Sequence, residues 1–469
     1  MLNYVTMTID WIPEIQRSDT PLYLAITKAI AEDISSGRLP NNARMPTHRE
    51  LADRMKVALG TITRAYIEAE RRGLIRSEGR RGTFVGPARN GKSLLSKMTD
   101  IESRMINFSY NHPSYAEDPD LTSALKKLMR KNDIQKLLHY PPSPGYPEHR
   151  EVGAQWLTEL GLVDIDAESV IITGGTQHAM VVVFGAIASR EDIVLTESYT
   201  YPGMKAVAEL YGIQLIGVDF DNEGMIPERL EELCKQKSVR ALYINPTLHN
   251  PTSIIYSDKR RKEIALLAEK YDFLIVEDEI LRPLAESQKP FISNFAPERS
   301  FVLMSASKTI TAGLRAGFIT APSKYRQRVI DSLQTSILSI SPLCAEILCQ
   351  WIADGTASRV ITRRKAELIH RQKAAARIIG KYDIMTAPSS QHIWLKLPEP
   401  WSGNQFTIES YRRDIALTPS ELFAVNRDTP SNAVRISLAA VPSIDTMIKG
   451  LEIIASILEG TPLQDSATV

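Results

Sequence analysis

The segment around Lys308 combines residue types that could bond covalently to a phosphorylated ligand. Lys308 comes shortly after the apolar run Phe301–Ser305 and before the sequence Gly-Leu-Arg-Ala-Gly, which contains Arg315. A lysine amine can bond to an aldehyde carbon, and a serine hydroxyl and a guanidinium can bind a phosphate group. A lone lysine is usually a surface charge, but the neighbouring serines and the Gly-Leu-Arg sequence favour a binding site. We therefore expect Lys308 to attach a ligand covalently, and Ser305 and Arg315 to hold its phosphate.

A glycine-rich turn offers a second contact with an anion. The turn Thr173–Gln177, with the sequence Thr-Gly-Gly-Thr-Gln, follows an apolar run and opens a helical stretch. Because small side chains leave the backbone N–H groups accessible, an anion can approach a helix N-terminus there. By itself such a turn is weak evidence of an anion-binding site. It supports such a site here because it occurs together with the Lys308 segment.

Three more side chains have the chemistry needed to hold an aromatic ligand. Tyr201 can present its face to a ring, Asn250 can donate to a phenolate oxygen, and Asp278 can pair with a protonated pyridine nitrogen. Together with Lys308 they meet the requirements of pyridoxal phosphate, which are covalent attachment, a protonated ring nitrogen, a stacked ring and a neutralised phosphate. Core packing is the alternative explanation for Tyr201.

Arg435 is a candidate for binding a substrate carboxylate. It lies in the final apolar segment Asn432–Ala440, far along the chain from the other candidates. A guanidinium binds a carboxylate through two parallel hydrogen bonds. A structural ion pair is the alternative explanation.

Short apolar runs alternate with helical stretches in the last three-quarters of the chain, which predicts an α/β fold with a mainly parallel sheet covered by helices. In such sheets the residues that end the strands face the ligand crevice. Most of the candidates above follow such runs. The runs begin at Val170, Asp192, Ala241, Phe273, Phe301 and Ala316.

The N-terminal segment has a different pattern, typical of a winged helix-turn-helix. The predicted elements are a helix from Leu22 to near Gly37, a helix opened by a capping box of Thr47 and Glu50, a helix from about Thr61 to Gly73, and short strands at 74–77 and 83–85. Three helices followed by a basic hairpin form such a domain, in which the last helix enters the DNA major groove.

Charge and composition divide the chain into two domains. Residues 20–86 contain 12 Lys and Arg against 7 Asp and Glu, a surplus of +5, while the whole chain has 56 against 55, so the rest sums to −4. A basic module attached to a mildly acidic body favours DNA binding by the module. We predict a DNA-binding domain at 1–86, a polar linker at 87–103 and a second domain at 104–469. The second domain is divided into a large part at about 140–330 and a small C-terminal part at about 340–460.

The sequences Ala-Arg-Met-Pro-Thr-His-Arg-Glu-Leu-Ala-Asp from Ala43, Thr-Arg-Ala-Tyr from Thr63 and Gly-Arg-Arg-Gly-Thr-Phe-Val from Gly79 resemble the GntR family of bacterial regulators across Pro21–Val85. Two departures are Ala58-Leu59 in place of a polar pair and His48 in place of serine, which favour shape readout over base contacts. Use of the domain for protein contacts alone is the alternative. The resemblance implies that double-stranded DNA is contacted by Thr47, Arg49, Thr61, Arg64, Arg80, Arg81 and Gly82.

The segments after the linker resemble, in order, fold-type-I aminotransferases of the aspartate and 2-aminoadipate kind over roughly residues 107–458. The resemblance implies pyridoxal 5′-phosphate as cofactor, with Lys308 as the Schiff-base lysine, Asp278 on the pyridine nitrogen, Asn250 on O3′ and Tyr201 stacked on the ring. Phosphate contacts are implied for Gly175, Thr176, Gln177, Ser305 and Arg315. Tyr140 matches a position that reaches the partner subunit's phosphate, which implies a homodimer.

A GntR-like head joined to an aminotransferase-like body resembles the MocR subfamily of regulators. This chain departs from the family at one position that matters for catalytic turnover. Ile280 and Leu281 stand where the family has a tyrosine that donates to O3′, and its loss is expected to impair turnover more than cofactor binding. Ser253 also replaces the glycine usual after Asn-Pro-Thr, which is a milder change. We therefore favour a regulator whose body senses an amino-acid-like effector. The alternative is an active amino acid aminotransferase with an accessory head.

Other features predict a cytoplasmic protein that holds no metal. The three cysteines, Cys234, Cys344 and Cys349, form no Cys-x-x-Cys pair and favour a reducing compartment. We expect no signal peptide and no membrane span, because the N-terminus lacks a basic start and the richest apolar stretch, near Val181, is interrupted. The eight histidines lack metal-ligand spacing.

Overall fold

The computed structural model describes residues 11–13, 15, 21–36, 38–40, 43–71, 74–77, 82–85, 105–131, 133–426, 428–430 and 432–460. These residues form two compact units, one within Met1–Lys97 and one within Met98–Val469. The predicted linker at 87–103 lies outside the described residues, so the predicted domain boundaries stay predictions. Within the described ranges, none of the helices has the length and apolar composition that crossing a bilayer requires.

The first unit contains three helices and a two-stranded antiparallel sheet. They are α1 (Leu22–Ser35), α2 (His48–Met55), α3 (Leu59–Arg71), β1 (Ile75–Ser77) and β2 (Thr83–Val85). Its core is built from Ile26, Ile30, Leu51, Ile62 and Tyr66, among other buried residues.

The predicted capping box is present at the start of α2. The Thr47 hydroxyl accepts a hydrogen bond from the Glu50 amide at 3.2 Å, and the Glu50 carboxylate accepts one from the Thr47 amide at 2.8 Å. This reciprocal pair satisfies two N–H groups that the helix cannot bond itself. Helix α3 begins at Leu59, two residues before the expected start.

The second unit is organised around a seven-stranded sheet. The strands are β4 (Val170–Thr173), β5 (Ile193–Glu197), β6 (Gln214–Val218), β9 (Val239–Ile244), β10 (Leu274–Asp278), β11 (Ser300–Ser305) and β12 (Gly317–Thr320). They are arranged in the order β4-β12-β11-β10-β9-β5-β6. Strand β12 is antiparallel to both of its neighbours, and the other neighbouring pairs are parallel. The apolar runs thus form the predicted strands.

Helices cover both faces of this sheet, and three hydrophobic clusters lie against its strands. The helices of this part are α4 (Leu121–Leu128), α5 (Pro147–Glu159), α6 (Thr176–Ile187), α7 (Pro202–Tyr211), α8 (Pro227–Gln236), α9 (Asp258–Lys270) and α10 (Ser323–Ile337). A small antiparallel pair, β7 (Phe220–Asp221) and β8 (Gly224–Met225), lies between α7 and α8 in the chain.

The C-terminal part has its own antiparallel sheet. Its strands are β13 (Ile384–Met385), β14 (His392–Lys396), β16 (Thr418–Pro419) and β17 (Ala433–Ser437), and its helices are α11 (Pro342–Ala353), α12 (Thr356–Ile379), α13 (Gly403–Arg412) and α14 (Ile444–Leu458). The strand order is β13-β14-β17-β16. A parallel pair of β3 (Ile106–Asn107) and β15 (Ile415–Ala416) joins the start of the unit to this part.

A buried ion network fixes the loop that follows β9. The Arg261 guanidinium is fully buried and donates to the Glu279 carboxylate at 3.1 Å, the Pro246 carbonyl at 2.8 Å and the Thr247 hydroxyl at 2.8 Å. Arg282 also donates to Glu279 at 3.1 Å. Because buried charges are tolerated only when paired and hydrogen-bonded, this network holds the loop rigidly against the end of β10.

Candidate cofactor site

Five of the residues predicted to hold the cofactor line one cavity in the second unit. They are Tyr201, Asn250, Asp278 and Lys308, and a fifth, Thr176, which was predicted to contact the phosphate, lies in the same lining. Asp278 ends β10, and Lys308 lies in a short 3-10 turn directly after the neighbouring strand β11. Since β9, β10 and β11 are parallel neighbours, their carboxyl ends meet at one edge of the sheet.

Asp278 is a buried carboxylate with two hydrogen-bond donors. Its Oδ2 accepts from the Tyr243 hydroxyl at 2.8 Å, and its Oδ1 accepts from the Ile280 amide at 3.2 Å. Burial raises the pKa of Asp278 to about 6, and these two hydrogen bonds oppose the rise. Tyr243 was not predicted, because a tyrosine inside an apolar strand has the pattern of a core residue.

Lys308 has an amine that loses its proton more easily than an exposed lysine. Burial lowers the pKa of Lys308 to about 8, with Arg435 and Arg315 acting in the same direction and Asp278 opposing them. The amine Nζ donates a hydrogen bond to the backbone carbonyl of Asn111. A larger neutral fraction makes the amine a better nucleophile near neutral pH.

Asn250 is held between the end of β10 and the C-terminal sheet. Its backbone N–H donates to Asn245 Oδ1 at 2.9 Å, and Asn245 Nδ2 donates to the Asp278 carbonyl at 2.5 Å. The Asn250 side-chain oxygen accepts from Arg435 at 2.8 Å, which leaves its NH₂ group as the donor. Asn245 was not predicted, although it too lines the cavity.

A group of polar side chains surrounds the start of α6. Gly175 precedes this helix with φ +87°, and a Cβ built on it would lie 3.1 Å from an Arg315 nitrogen and 3.4 Å from the Ser307 hydroxyl. Arg315 donates to Ser307 Oγ at 2.8 Å, and Ser305 Oγ accepts from the Ser307 amide at 3.0 Å. Glycine therefore keeps open the space between a helix N-terminus, a guanidinium and a hydroxyl, which together fit a phosphate. Ser307 was missed by the sequence analysis.

Tyr201 and Gln177 are brought together by a glycine that sequence reasoning did not identify. A Cβ on Gly203 would lie 2.1 Å from Gln177 Oε1 and 2.2 Å from Tyr201 Cε1, so a larger residue there would displace both. Gln177 Nε2 donates to the Gly203 carbonyl at 3.3 Å, and its buried Oε1 has no hydrogen-bond partner among the described residues. Burial raises the pKa of Tyr201 to about 12, so its ring is neutral at physiological pH.

Arg435 is buried on β17 with neutral partners. Its guanidinium donates to Asn250 Oδ1 and to the Ser109 carbonyl, both at 2.8 Å, and lies 3.5 Å from the Thr418 hydroxyl. Its Nε has no hydrogen-bond partner among the described residues. A cation surrounded by neutral acceptors can still bind a carboxylate, as its predicted role requires.

The remaining predicted residues of the second unit lie at or beyond the edge of the cavity. Ile280 and Leu281 line it and present no side-chain donor. Tyr140 lies outside it, with 84% of its surface exposed. Its predicted contact with the phosphate of a second copy stays a prediction.

The predicted DNA-contacting residues lie around α2 and α3. Thr47 and Arg49 are at the start of α2, with Thr47 exposed and Arg49 at the surface of its first turn, while Arg64 is exposed on α3 and Thr61 is partly exposed in the first turn of that helix. Gly82 has φ +106°, and a Cβ there would lie 3.0 Å from Arg44 Nε. Arg44 was not predicted. Arg80 and Arg81 lie outside the described residues.

Two family models match this chain. Residues 103–454 match the model for class I and II aminotransferases, and residues 22–85 match the model for bacterial regulatory proteins of the gntR family.

Three of the curated relatives of this chain are two HTH-type transcriptional regulators and one aminotransferase. The uncharacterized HTH-type transcriptional regulator YdeF of Bacillus subtilis (strain 168) is 27% identical over 96% of this chain and 97% of its own length. The uncharacterized HTH-type transcriptional regulator YjiR of Escherichia coli (strain K12) is 26% identical over 92% of this chain and 97% of its own length. The mitochondrial kynurenine/alpha-aminoadipate aminotransferase of Rattus norvegicus is 29% identical over 73% of this chain and 81% of its own.

Solved structures agree with these matches at the level of fold. Pyrococcus horikoshii kynurenine aminotransferase has a TM-score of 0.73 at 23% identity, covering 79% of this chain and 94% of that one. LysN, the alpha-aminoadipate aminotransferase from Thermus thermophilus, has a TM-score of 0.71 at 22% identity, covering 79% and 96%. The predicted fold class and the predicted regulator organisation of MocR type are confirmed. The chain belongs to the class I and II aminotransferase family and carries a GntR-type helix-turn-helix domain at its N-terminal end.

Proposed function

We propose that this protein is a DNA-binding transcription regulator whose aminotransferase-like unit binds pyridoxal 5′-phosphate (PLP) through Lys308 and senses an amino compound there. The observation that carries the proposal is the meeting of Lys308, Asp278, Asn250 and Tyr201 around one cavity, in a chain that also has a GntR-type domain. A cytoplasmic location follows from this proposal, because the regulator must reach DNA.

Each residue of the site has a role that its surroundings support. When bound, PLP supplies an aldehyde that bonds to amines and a ring that accepts electrons. The Lys308 amine would attach to that aldehyde, and the buried Asp278 carboxylate would hold the proton of the ring nitrogen. The Asn250 NH₂ group would donate to the phenolic oxygen, and Tyr201 would pack against the ring.

Apolar residues beside this site favour sensing over rapid turnover. Leu281 is buried at the edge of the cavity, where an aminotransferase of this family would place a tyrosine hydroxyl. The phenolic oxygen therefore has Asn250 as its side-chain donor, which weakens control of the proton shared with Lys308. Transamination is the second candidate function, supported by the lowered pKa of Lys308 and by a buried Arg435 with neutral partners.

We also propose that the protein is a homodimer. Several large apolar side chains are exposed on the second unit, which favours a protein interface over a solvated surface. They include Met129, Leu138 and Leu338, with 75%, 81% and 57% of their surfaces exposed. Leu138 and Tyr140 line the same surface depression, so a second copy that covers Leu138 would also contact Tyr140. In such a dimer each Tyr140 would reach the predicted phosphate position of the other copy.

The cofactor assignment is tested by the absorption spectrum of the full-length protein with PLP. We expect the band that PLP acquires on bonding to a protein amine, and we expect Lys308→Ala to lack it. Lys205→Met is a matched control, because Lys205 is also a partly buried lysine whose pKa burial lowers. Loss of the band with one amino acid would indicate turnover, and a shift without loss would indicate sensing. A band of wild-type intensity in Lys308→Ala would contradict the assignment.

The role of Asp278 predicts a pH dependence. Tyr243→Phe removes a hydrogen bond to the carboxylate, so the pKa of Asp278 rises above its value of about 6. The carboxyl group becomes neutral as the pH falls through its pKa, so the variant should lose PLP at a higher pH than the wild type. We expect its Kd for PLP to be near the wild-type value at about pH 8 and several-fold weaker at about pH 6. Asp278→Asn should bind PLP weakly at both pH values. If the Kd for PLP depends on pH in the same way in Tyr243→Phe and in the wild type, the proposed role of Asp278 is refuted.

Gly60 allows the DNA-binding surface to be tested without loss of the fold. A Cβ built on Gly60, in the first turn of α3, has no heavy atom within 4 Å, so alanine fits. Alanine should stabilise the helix by about 0.5–1 kcal/mol, yet its methyl group would obstruct close approach of DNA. We expect Gly60→Ala to melt no earlier than the wild type and to bind DNA selected from a random pool several-fold more weakly. Lys28→Ala, on the exposed side of α1, is the control, and wild-type affinity in Gly60→Ala would exclude α3 from the interface.

A further inference from the structure

The segment that follows the predicted linker passes directly across the cofactor cavity. We call residues 105–118 the strap. Its first residues form β3, with the Ile106 amide bonded to the Asp414 carbonyl and the Phe108 amide bonded to the Ala416 carbonyl, both at 2.9 Å. Asn111 of the strap lines the cavity. The strap therefore connects the covalent path to the DNA-binding domain with the site itself.

Two cations of the site, the buried Arg435 and the partly buried Lys308, hold the middle of the strap by its backbone carbonyls. Arg435 donates to the Ser109 carbonyl at 2.8 Å, and Lys308 donates to the Asn111 carbonyl. The Ser437 hydroxyl adds a 3.4 Å contact with Asn111 Oδ1. Lys308 is thus both the predicted attachment point of the cofactor and a tether of the strap.

The far end of the strap is anchored independently of Lys308. The Asp118 carboxylate accepts from Arg364 at 2.6 Å and from the Thr311 hydroxyl at 3.2 Å. With β3 fixed at one end and Asp118 at the other, loss of the Lys308 tether affects the intervening residues 109–117. Any change is therefore local and does not require the fold to open.

Covalent attachment of PLP removes the Lys308 tether for a chemical reason. A carbon–nitrogen double bond forms between Nζ and the aldehyde carbon, the carbonyl double bond breaks, and its oxygen leaves as water with the two protons of the neutral amine. Nζ then has no proton left for the Asn111 carbonyl, and a proton later gained by the nitrogen is shared with the phenolic oxygen beside it. An amino compound reverses this, because the double bond passes to its nitrogen and its two amine protons pass to Nζ.

We propose that the strap reports whether the Lys308 amine is free. A free amine holds the Asn111 carbonyl, attachment to PLP releases it, and exchange of the cofactor onto an amino compound restores the tether. This inference rests on the proposed function and adds to it a structural response to the state of the amine, located in the segment that follows the predicted linker.

The test is amide hydrogen exchange of the full-length protein, followed in peptides that cover residues 105–118. Saturating PLP should make residues 109–117 exchange about tenfold faster than in the ligand-free protein, which corresponds to loss of one hydrogen bond to a charged donor. Pyridoxamine 5′-phosphate is the matched control ligand, because it can fill the phosphate and ring positions but cannot bond to Lys308. It should leave the strap as slow as in the ligand-free protein. Peptides covering β9 and β10 report whether the fold is intact.

Two variants separate the tether from the cofactor. Without ligand, Lys308→Ala should exchange faster in the strap than the wild type, whereas Lys308→Arg keeps a cation for the Asn111 carbonyl and should stay slow with or without PLP. If absorbance shows PLP attached to Lys308 and the strap does not exchange faster, the strap proposal is overturned and the proposed function stands. If PLP does not attach, the proposed function fails, and the tether is then tested by ligand-free Lys308→Ala alone. Unchanged exchange in the strap of that variant overturns the tether, and faster exchange supports it.

Discussion

Burial of Asp278, Lys308 and Arg435 at one edge of the large sheet is the constraint on which the site depends. Removing an ionised group from water costs several kcal/mol unless other polar groups compensate, and here the compensation is incomplete. Burial moves the pKa of Asp278 up to about 6, that of Lys308 down to about 8 and that of Arg435 down to about 10. Each of the three groups therefore either has a pKa shifted towards neutral pH or lacks a partner of opposite charge. An anionic ligand with a nitrogen-containing ring supplies complementary groups for all three.

Much of this arrangement could be predicted from the sequence, because parallel strands bring the residues that follow them to one edge. Asp278 and Lys308 each follow an apolar run, and their proximity follows from the pairing of β10 with β11. Residues that act from within an apolar pattern or from a distant segment could not be found this way. Tyr243 has the pattern of a strand core residue, and Asn111 reaches Lys308 across a separation of 197 residues. The order of the strands, with β12 antiparallel to both neighbours, was not predictable from the alternation of runs and helices.

Ser253 illustrates how the structure explains a departure that the sequence analysis treated as mild. Its φ of +64° lies in the left-handed region. The glycine usual at this position adopts that conformation with a lower conformational energy than serine does. The serine hydroxyl, however, contacts the Ser390 hydroxyl at 2.7 Å and donates to the His392 carbonyl at 3.0 Å. These contacts join the loop that carries Asn250 to the sheet that carries Arg435. The side chain therefore offsets backbone strain with a connection between the large and C-terminal parts that glycine cannot make.

If the chemistry at Lys308 controls DNA binding, the affinity of the full-length protein for DNA must differ with and without PLP. The DNA is a fluorescent duplex selected by the protein itself from a random pool, and Kd is measured by anisotropy at constant salt. PLP should change the Kd of the wild type by at least about fivefold, a coupling free energy of about 1 kcal/mol, and should leave that of Lys308→Arg unchanged. Equal Kd values for the wild type with and without PLP, at concentrations where absorbance shows the cofactor attached, would contradict it.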